Sequence, residues 1–209
     1  QVIHSFVSRT GDYALPKVKH GNTILPGFAP MTHPLNKFNE DNPCGLKFLD
    51  HCVGNVELNG MDKAVDWYEN VLEFSMFKHF DDADISTEYS ALMSKVMSSG
   101  GGLIKFPINE PAEGKRKSQI QEYLDWHNNT PGVQHLAFRT NDAIQSIAEL
   151  RRRGVNFLDI PKEYYEIVWD RVGDIEEEKK IVQDLGILID RDDQGYLLQL
   201  FTRPVQDRP

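Results

Sequence analysis

The stretch GVQHLAFRT, residues 132–140, alternates as a buried strand does, yet carries an imidazole, His135, among apolar neighbours. An earlier stretch repeats the pattern. In LDHCVGNV, residues 49–56, strand alternation places Leu49, His51 and Val53 on one face and Asp50, Cys52 and Gly54 on the other. A helix is expected after each histidine strand. Met61, Ala64, Val65, Tyr68, Val71 and Leu72 fall at helical spacing after the first, and Ile144, Ile147, Ala148 and Arg151 after the second. Asn59 is the expected cap of the first helix, Asp142 the start of the second and Gly154 its stop. From His51 to the first apolar ring beyond its helix, Phe74, is 74 − 51 = 23 positions; from His135 to Phe157 is 157 − 135 = 22. Two copies of one unit therefore follow each other, each with a histidine at the same place.

The first copy continues through three extended segments, 74–80, 88–97 and 102–108, with Gly100, Gly101 and Gly102 turning the chain between the last two. The unit is strand, helix, strand, strand, strand. A polar, partly helical insert, SQIQEYLDWHNNTP, separates it from the second copy. There the strand VNFLDI (155–160) follows the helix, then helical pieces KEYYEIVWDRV and DIEEEKKIVQDL, the latter stopped by Gly186. Strands GILIDR and GYLLQLFT close the chain around the turn DDQG. The expected fold is α+β, with tandem βαβββ modules of which the second lacks its last strand. Residues 1–45 begin with the strand-like VIHSFVSR and then read as a linker, dense in Pro and Gly.

Among 209 residues, a 40% hydrophobic content predicts a sizeable core. The net charge of −9 argues against nucleic acid and anionic membrane as partners, since a phosphate surface would repel it. The basic run Lys115, Arg116, Lys117 is short and reads as a solvated loop. Two cysteines, Cys44 and Cys52, make no disulfide framework and suit a reducing compartment, so the expected location is cytoplasmic. The sequence holds neither a run of about 18 apolar residues nor a signal-peptide pattern. Its first residue is Gln1 and its earliest methionine Met31, which suggests that it begins inside a longer protein.

His4, His20, His33, His79 and His127 read as surface or edge residues. His51 and His135 differ, because matched positions in a duplicated unit can converge on one cavity. Neutral imidazole suits iron, zinc, copper or nickel, and two imidazoles with one carboxylate form the facial site of non-haem iron(II) oxygenases. A third ligand is hard to find in the chain. Parity points Asp50 and Cys52 away from His51, while Asp190, Asp192 and Asp193 belong to a turn; a carboxylate ligand, if the site has one, should then lie on the missing strand. Gln199 and Phe201 share one strand face, as do Ser90, Leu92, Ser94 and Val96. These suit a small polar ligand with a ring, and equally a barrel interior with satisfied hydrogen bonds.

Several blocks together resemble the 4-hydroxyphenylpyruvate dioxygenase family, whose members are built from vicinal-oxygen-chelate modules. They are LPGF (25–28), LDHCVGNV, ALMSKV (91–96), KFPINEPAEGKRKSQIQEYL (105–124), GVQHLAF, LGILID and RDDQGYLLQLFTRPVQDRP (191–209). The resemblance implies a half-open barrel and an iron(II) enzyme with His51 and His135 as metal ligands. The third ligand would be a glutamate beyond Pro209. Residues 1–45 would be the end of an N-terminal domain plus a linker. The catalytic domain, 46–209, would divide into module one (46–108), an insert (109–131) and an incomplete module two (132–209). The resemblance maps substrate contacts onto Ser94, Asn109, Gln119, Gln134 and Gln199, with Pro107, Val53 and Phe201 lining the pocket. Simple parity places Gln134 opposite His135. The implied reaction takes an α-keto acid, 4-hydroxyphenylpyruvate, and O2 to homogentisate and CO2 in tyrosine and phenylalanine catabolism, in a protein that is a homo-oligomer when full length. Hydroxymandelate synthase, with the same metal and substrate, is an alternative, against which the PINEP block leans. A non-catalytic glyoxalase-fold fragment or binding module is another, with weak iron binding and little turnover expected of these 209 residues alone.

Overall fold

The structure is a computed structural model that describes residues 2–8, 33–80, 92–112, 118–192 and 195–205. The LPGF block, His20, residues 88–91 including Ser90, the basic run and Asp193 lie outside the described residues. The chain divides into two compact units, residues 2–44 and 45–209. In the first, residues 2–8 form no strand, contrary to expectation. A strand exists only through a hydrogen-bonded neighbour, and Ile3 and Phe6 are exposed instead. Within the expected linker a helix, α1 (Leu35–Asp41), follows Pro34 and ends at Asn42, whose backbone and side-chain amides both donate to the Phe38 carbonyl.

The second unit runs β1 (Leu46–Asn55), α2 (Met61–Leu72), β2 (Ser75–Phe80), β3 (Leu92–Ser98), β4 (Lys105–Pro111), α3 (Gln119–Trp126), β5 (Gly132–Thr140), α4 (Ala143–Arg152), α5 (Lys162–Val172), α6 (Lys179–Asp184), β6 (Leu188–Asp192) and β7 (Gly195–Gln199). Its main sheet has the order β2-β3-β4-β1-β5. β1 runs parallel to β4 and antiparallel to β5. The first copy is thus a full βαβββ module, in an α+β fold with no closed barrel among the described residues.

Pairing between β1 and β5 carries the duplication into three dimensions. His51 faces Ala137, Val53 faces His135 and Cys52 faces Leu136. Equivalent residues differ by one offset, 135 − 51 = 84 and 137 − 53 = 84, so the ladder maps onto itself about the Cys52–Leu136 pair.

Asn59 does not cap α2: its φ of 63° puts it in the left-handed region, and Gly60 takes the cap position without a side-chain bond. The first-turn amide of Met61 donates instead to Oε2 of the buried Glu110, at 3.0 Å. Asp142 does cap α4, accepting from the Gln145 amide at 2.8 Å. VNFLDI does not become a strand. Phe157 makes one bridge to Thr202, flanked by two backbone hydrogen bonds, and Pro161 and Pro204 bound the two segments that would have to lengthen the ladder. The helix expected from Asp174 starts only at Lys179. The Tyr196 hydroxyl accepts from the Glu176 amide and donates to the Glu177 carboxylate, fixing the intervening chain in a non-helical path.

One face of the main sheet is apolar and packs on α2, where Val56, Met61, Val65, Met97 and Ile108 form a core. A larger core joins α4, α5, α6 and β6 through Ile147, Phe157, Tyr165, Val168, Val172, Val182, Ile187 and Ile189. Burying each such side chain contributes about 1.5–3 kcal/mol. The face of the sheet turned away from α2 carries Val53, Asn55, Ser94, Val96, Pro107 and Asn109, because residues directly opposite across a ladder, and residues two apart along a strand, point the same way.

Candidate metal centre

His51 and His135 occupy that second face, two pairs apart along the β1–β5 ladder. Their ring centroids are 6.1 Å apart and their planes at 71°. The Phe201 ring approaches His135 edge-on, at 5.3 Å and 85°. Both imidazoles are half-buried. Burial, and then the neighbouring His51, push the His135 pKa down from 6.5 to about 4. At neutral pH His135 therefore keeps a lone pair for a Lewis acid. Two imidazoles on one sheet face fit two positions of a facial triad. Among the described residues, no third His, Cys, Asp or Glu joins them in a metal-binding group.

The parity argument against Asp50 fails. Leu49 faces Phe138 and His51 faces Ala137, so two steps along β1 meet one along β5 and Asp50 is the extra residue of a bulge. Its carboxylate lies beside His51, with Oδ2 at 3.0 Å from Nδ1, and its Oδ1 accepts from Lys105 Nζ at 3.1 Å. Burial raises the Asp50 pKa, but hydrogen bonds from His51 and Lys105 outweigh it, and the net shift is downward. Asp50 is thus an ionised carboxylate engaged on both oxygens.

A second slip has the same origin. Val53 faces His135 while Gly54 faces Val133, so Gln134 is the extra residue on β5. The half-buried Gln134 is not held to the alternation that would set it opposite His135.

Ser94, Asn109 and Asn55 form a row across β3, β4 and β1: Ser94 pairs with Asn109, and Asn109 with Asn55. All three are buried. Asn55 escaped the sequence reading. It is 0% exposed, and neither Oδ1 nor Nδ2 has a hydrogen-bond partner among the described residues. The signal was its spacing of two from Val53. Val53 is buried between the histidine level and this row, and Pro107 is half-buried on β4. Gln119 opens α3 and is exposed. Gln199 ends β7 and is exposed while Phe201 beyond it is half-buried, so the alternation expected to pair them on one face stops short.

A complete βαβββ module followed by a partial copy, self-mapping central strands and paired histidines define a class. The sequence model of the Glyoxalase/Bleomycin resistance protein/Dioxygenase superfamily matches residues 49–200, and the chain belongs to that superfamily. Within it, the chain is 45% identical over its whole length to 4-hydroxyphenylpyruvate dioxygenase of Tetrahymena thermophila, covering 51% of that protein. It is 46% identical over 99% of its length to 4-hydroxyphenylpyruvate dioxygenase of Danio rerio, again covering 51%. Among solved structures, a mutant of 4-hydroxymandelate synthase from Streptomyces coelicolor superposes with a TM-score of 0.62 at 31% identity, over 75% of this chain and 44% of that one. The chain spans about half the length of the curated relatives it matches.

Proposed function

We propose that this chain is the catalytic part of a non-haem iron(II) dioxygenase that converts 4-hydroxyphenylpyruvate and O2 to homogentisate and CO2. The observation that carries the reading is the pair of imidazoles at equivalent positions of the duplicated module, on one sheet face with rings 6.1 Å apart. Relatives of that name at 45–46% identity support the choice of reaction. His51 and His135 would hold the iron, and the glutamate that the resemblance places after Pro209 would complete the triad. Bound there, iron would supply the redox chemistry and a template for the α-keto acid and dioxygen.

The chain's own residues bind and aim the substrate. Ser94 and Asn109, paired across β3 and β4, offer a hydroxyl and an amide to the phenol, and Val53, Pro107 and Phe201 bound the ring. Gln134, Gln119 and Gln199 are further contacts in this reading. Their aim matters, since an error of about 1 Å can cost about a hundredfold in rate. Residues 1–45 then end an N-terminal domain and link it to the catalytic domain, 46–209. The protein works in the cytoplasm as a homo-oligomer on a small molecule rather than on nucleic acid or membrane; the two cysteines are free thiols, and no described helix is long and apolar enough to cross a membrane.

The test is anaerobic loading of the complete protein with Fe(II), then oxygen uptake and product analysis with 4-hydroxyphenylpyruvate. Homogentisate is expected, with turnover lost in His51→Ala and His135→Ala. The structural likeness to a mandelate-forming enzyme motivates a second reading on the same site; 4-hydroxymandelate as the product would establish it. Absence of iron binding and turnover in the complete protein would favour a non-catalytic glyoxalase-fold module.

A further inference from the structure

We propose that Asp50 is a positioning residue for the metal site: by accepting a hydrogen bond from Nδ1 of His51 it fixes that ring's tautomer and rotation, with Lys105 holding the carboxylate in place. The inference rests on the reading of His51 as a metal ligand. Three observations carry it. The bulge turns Asp50 out of strand alternation and brings it beside His51. Oδ2 stands 3.0 Å from His51 Nδ1, and Oδ1 accepts from Lys105 Nζ at 3.1 Å. All three side chains are sheltered, with exposures of 25% for Asp50, 31% for His51 and 22% for Lys105, so solvent competes weakly for these bonds.

An ionised carboxylate has no proton to give, so the hydrogen between the two groups belongs to Nδ1. The free lone pair of His51 is then on Nε2. A ring left without a partner at Nδ1 would divide between two tautomers and turn about χ2, and part of its population would be unable to bind metal. The partner also makes the imidazole a better donor. Asp50 itself is not a ligand in this arrangement, since each of its oxygens already serves another group. Lys105, three strand positions from Ile108 on β4, offsets the cost of holding a carboxylate in a half-buried site.

The experiment has two arms on the complete protein. The first measures Co(II) affinity by competition with a chelator for wild type, Asp50→Asn, Asp50→Ala, Lys105→Met and His51→Ala. The second records histidine side-chain 15N resonances of the metal-free protein and reads the tautomer of His51. Co(II) binding that His51→Ala abolishes is expected. Asp50→Ala should weaken it about 10- to 100-fold, Asp50→Asn should restore part of the loss because its amide oxygen still accepts, and Lys105→Met should fall between. The wild-type ring should hold its proton on Nδ1, and Asp50→Ala should mix the tautomers. Binding that depends on His51 but stays within twofold of wild type in Asp50→Ala, with the tautomer unmoved, overturns the role of Asp50 alone. Binding indifferent to His51→Ala overturns the metal reading and this role with it.

Discussion

Gly132, the first residue of the second histidine strand, has no room for a side chain. A Cβ there would lie 2.0 Å from the Tyr123 hydroxyl, 2.7 Å from His127 Cε1 and 3.0 Å from His127 Nδ1. Tyr123 is buried at 3% exposure, its ring stacks on His127 at 5.3 Å, and its hydroxyl donates to the Val133 carbonyl at 3.2 Å. Gly132→Ala must therefore displace a buried ring rather than a flexible tip. The lost hydrogen bond costs about 1 kcal/mol and the overpacking about 1–3 kcal/mol, so a destabilisation of about 2–4 kcal/mol is expected from these two contributions. Urea unfolding followed by far-ultraviolet circular dichroism would read it as a lower midpoint at unchanged slope.

Two further variants separate cause from coincidence. Gly101→Ala places its Cβ with nothing within 4 Å, and should change stability by less than about 0.5 kcal/mol. Tyr123→Phe alone should cost about 1 kcal/mol for the hydrogen bond. Combined with Gly132→Ala it removes the atom at 2.0 Å, so the double variant should be more stable than the sum of the singles by about 1–2 kcal/mol. A Gly132→Ala protein within about 0.5 kcal/mol of wild type, or a double variant that is merely additive, would refute the close-approach argument.

Two more outcomes follow from the same structure. The Tyr164 hydroxyl donates to the Ile189 carbonyl at 2.9 Å and accepts from the Ile189 amide at 3.0 Å, completing the unpaired side of β6; Tyr164→Phe keeps the ring and should lose about 2 kcal/mol in urea unfolding, one for each bond. In the metal-free protein, His135 has a pKa of about 4 against an ordinary 6.5. Its unfolded form binds the proton more readily, so the stability it confers is present above pH 6.5 and is lost as pH falls toward 4. Replacing His135 with Gln should flatten that limb of the stability–pH curve, and an unchanged limb would remove His135 from the account.

Much of the fold was legible because it is local. Helical spacing announced α2 and α4, Asp142 and Gly154 marked the ends of the latter, and the matched histidine-to-ring distances exposed the duplication. What the sequence hid depends on partners distant along the chain. Asn59 looks like a cap, but Glu110, about fifty residues on, arrives across the sheet to bond the Met61 amide. VNFLDI has the composition of a strand, but strand formation requires a neighbour long enough to pair with, and among the described residues only Thr202 bridges to it. The site divides in the same way. The two histidines were visible from spacing, whereas the orphaned amide of Asn55 becomes notable only once packing has removed it from water.

Beside the histidines strand parity failed at two places, and they are the same place. Asp50 and Gln134 differ by 134 − 50 = 84, the offset that relates His51 to His135. The Leu49–Phe138 and Gly54–Val133 pairs that bracket the two slips are images of each other under that offset, so the same bulge occurs in both copies of the module. Bulges re-aim side chains at the price of a ladder position, and here each frees the residue just before a histidine from the alternation. The two copies then diverge in chemistry. In the first, the freed residue is a carboxylate that engages the imidazole beside it; in the second it is an amide, too weak an acceptor to hold a histidine in one tautomer as firmly and suited to donate and accept toward a polar ligand. On the proposed function, this duplicated irregularity would separate the tasks of the two halves: the Asp50 side would steady a ligand of the metal, and the Gln134 side would be left for the substrate.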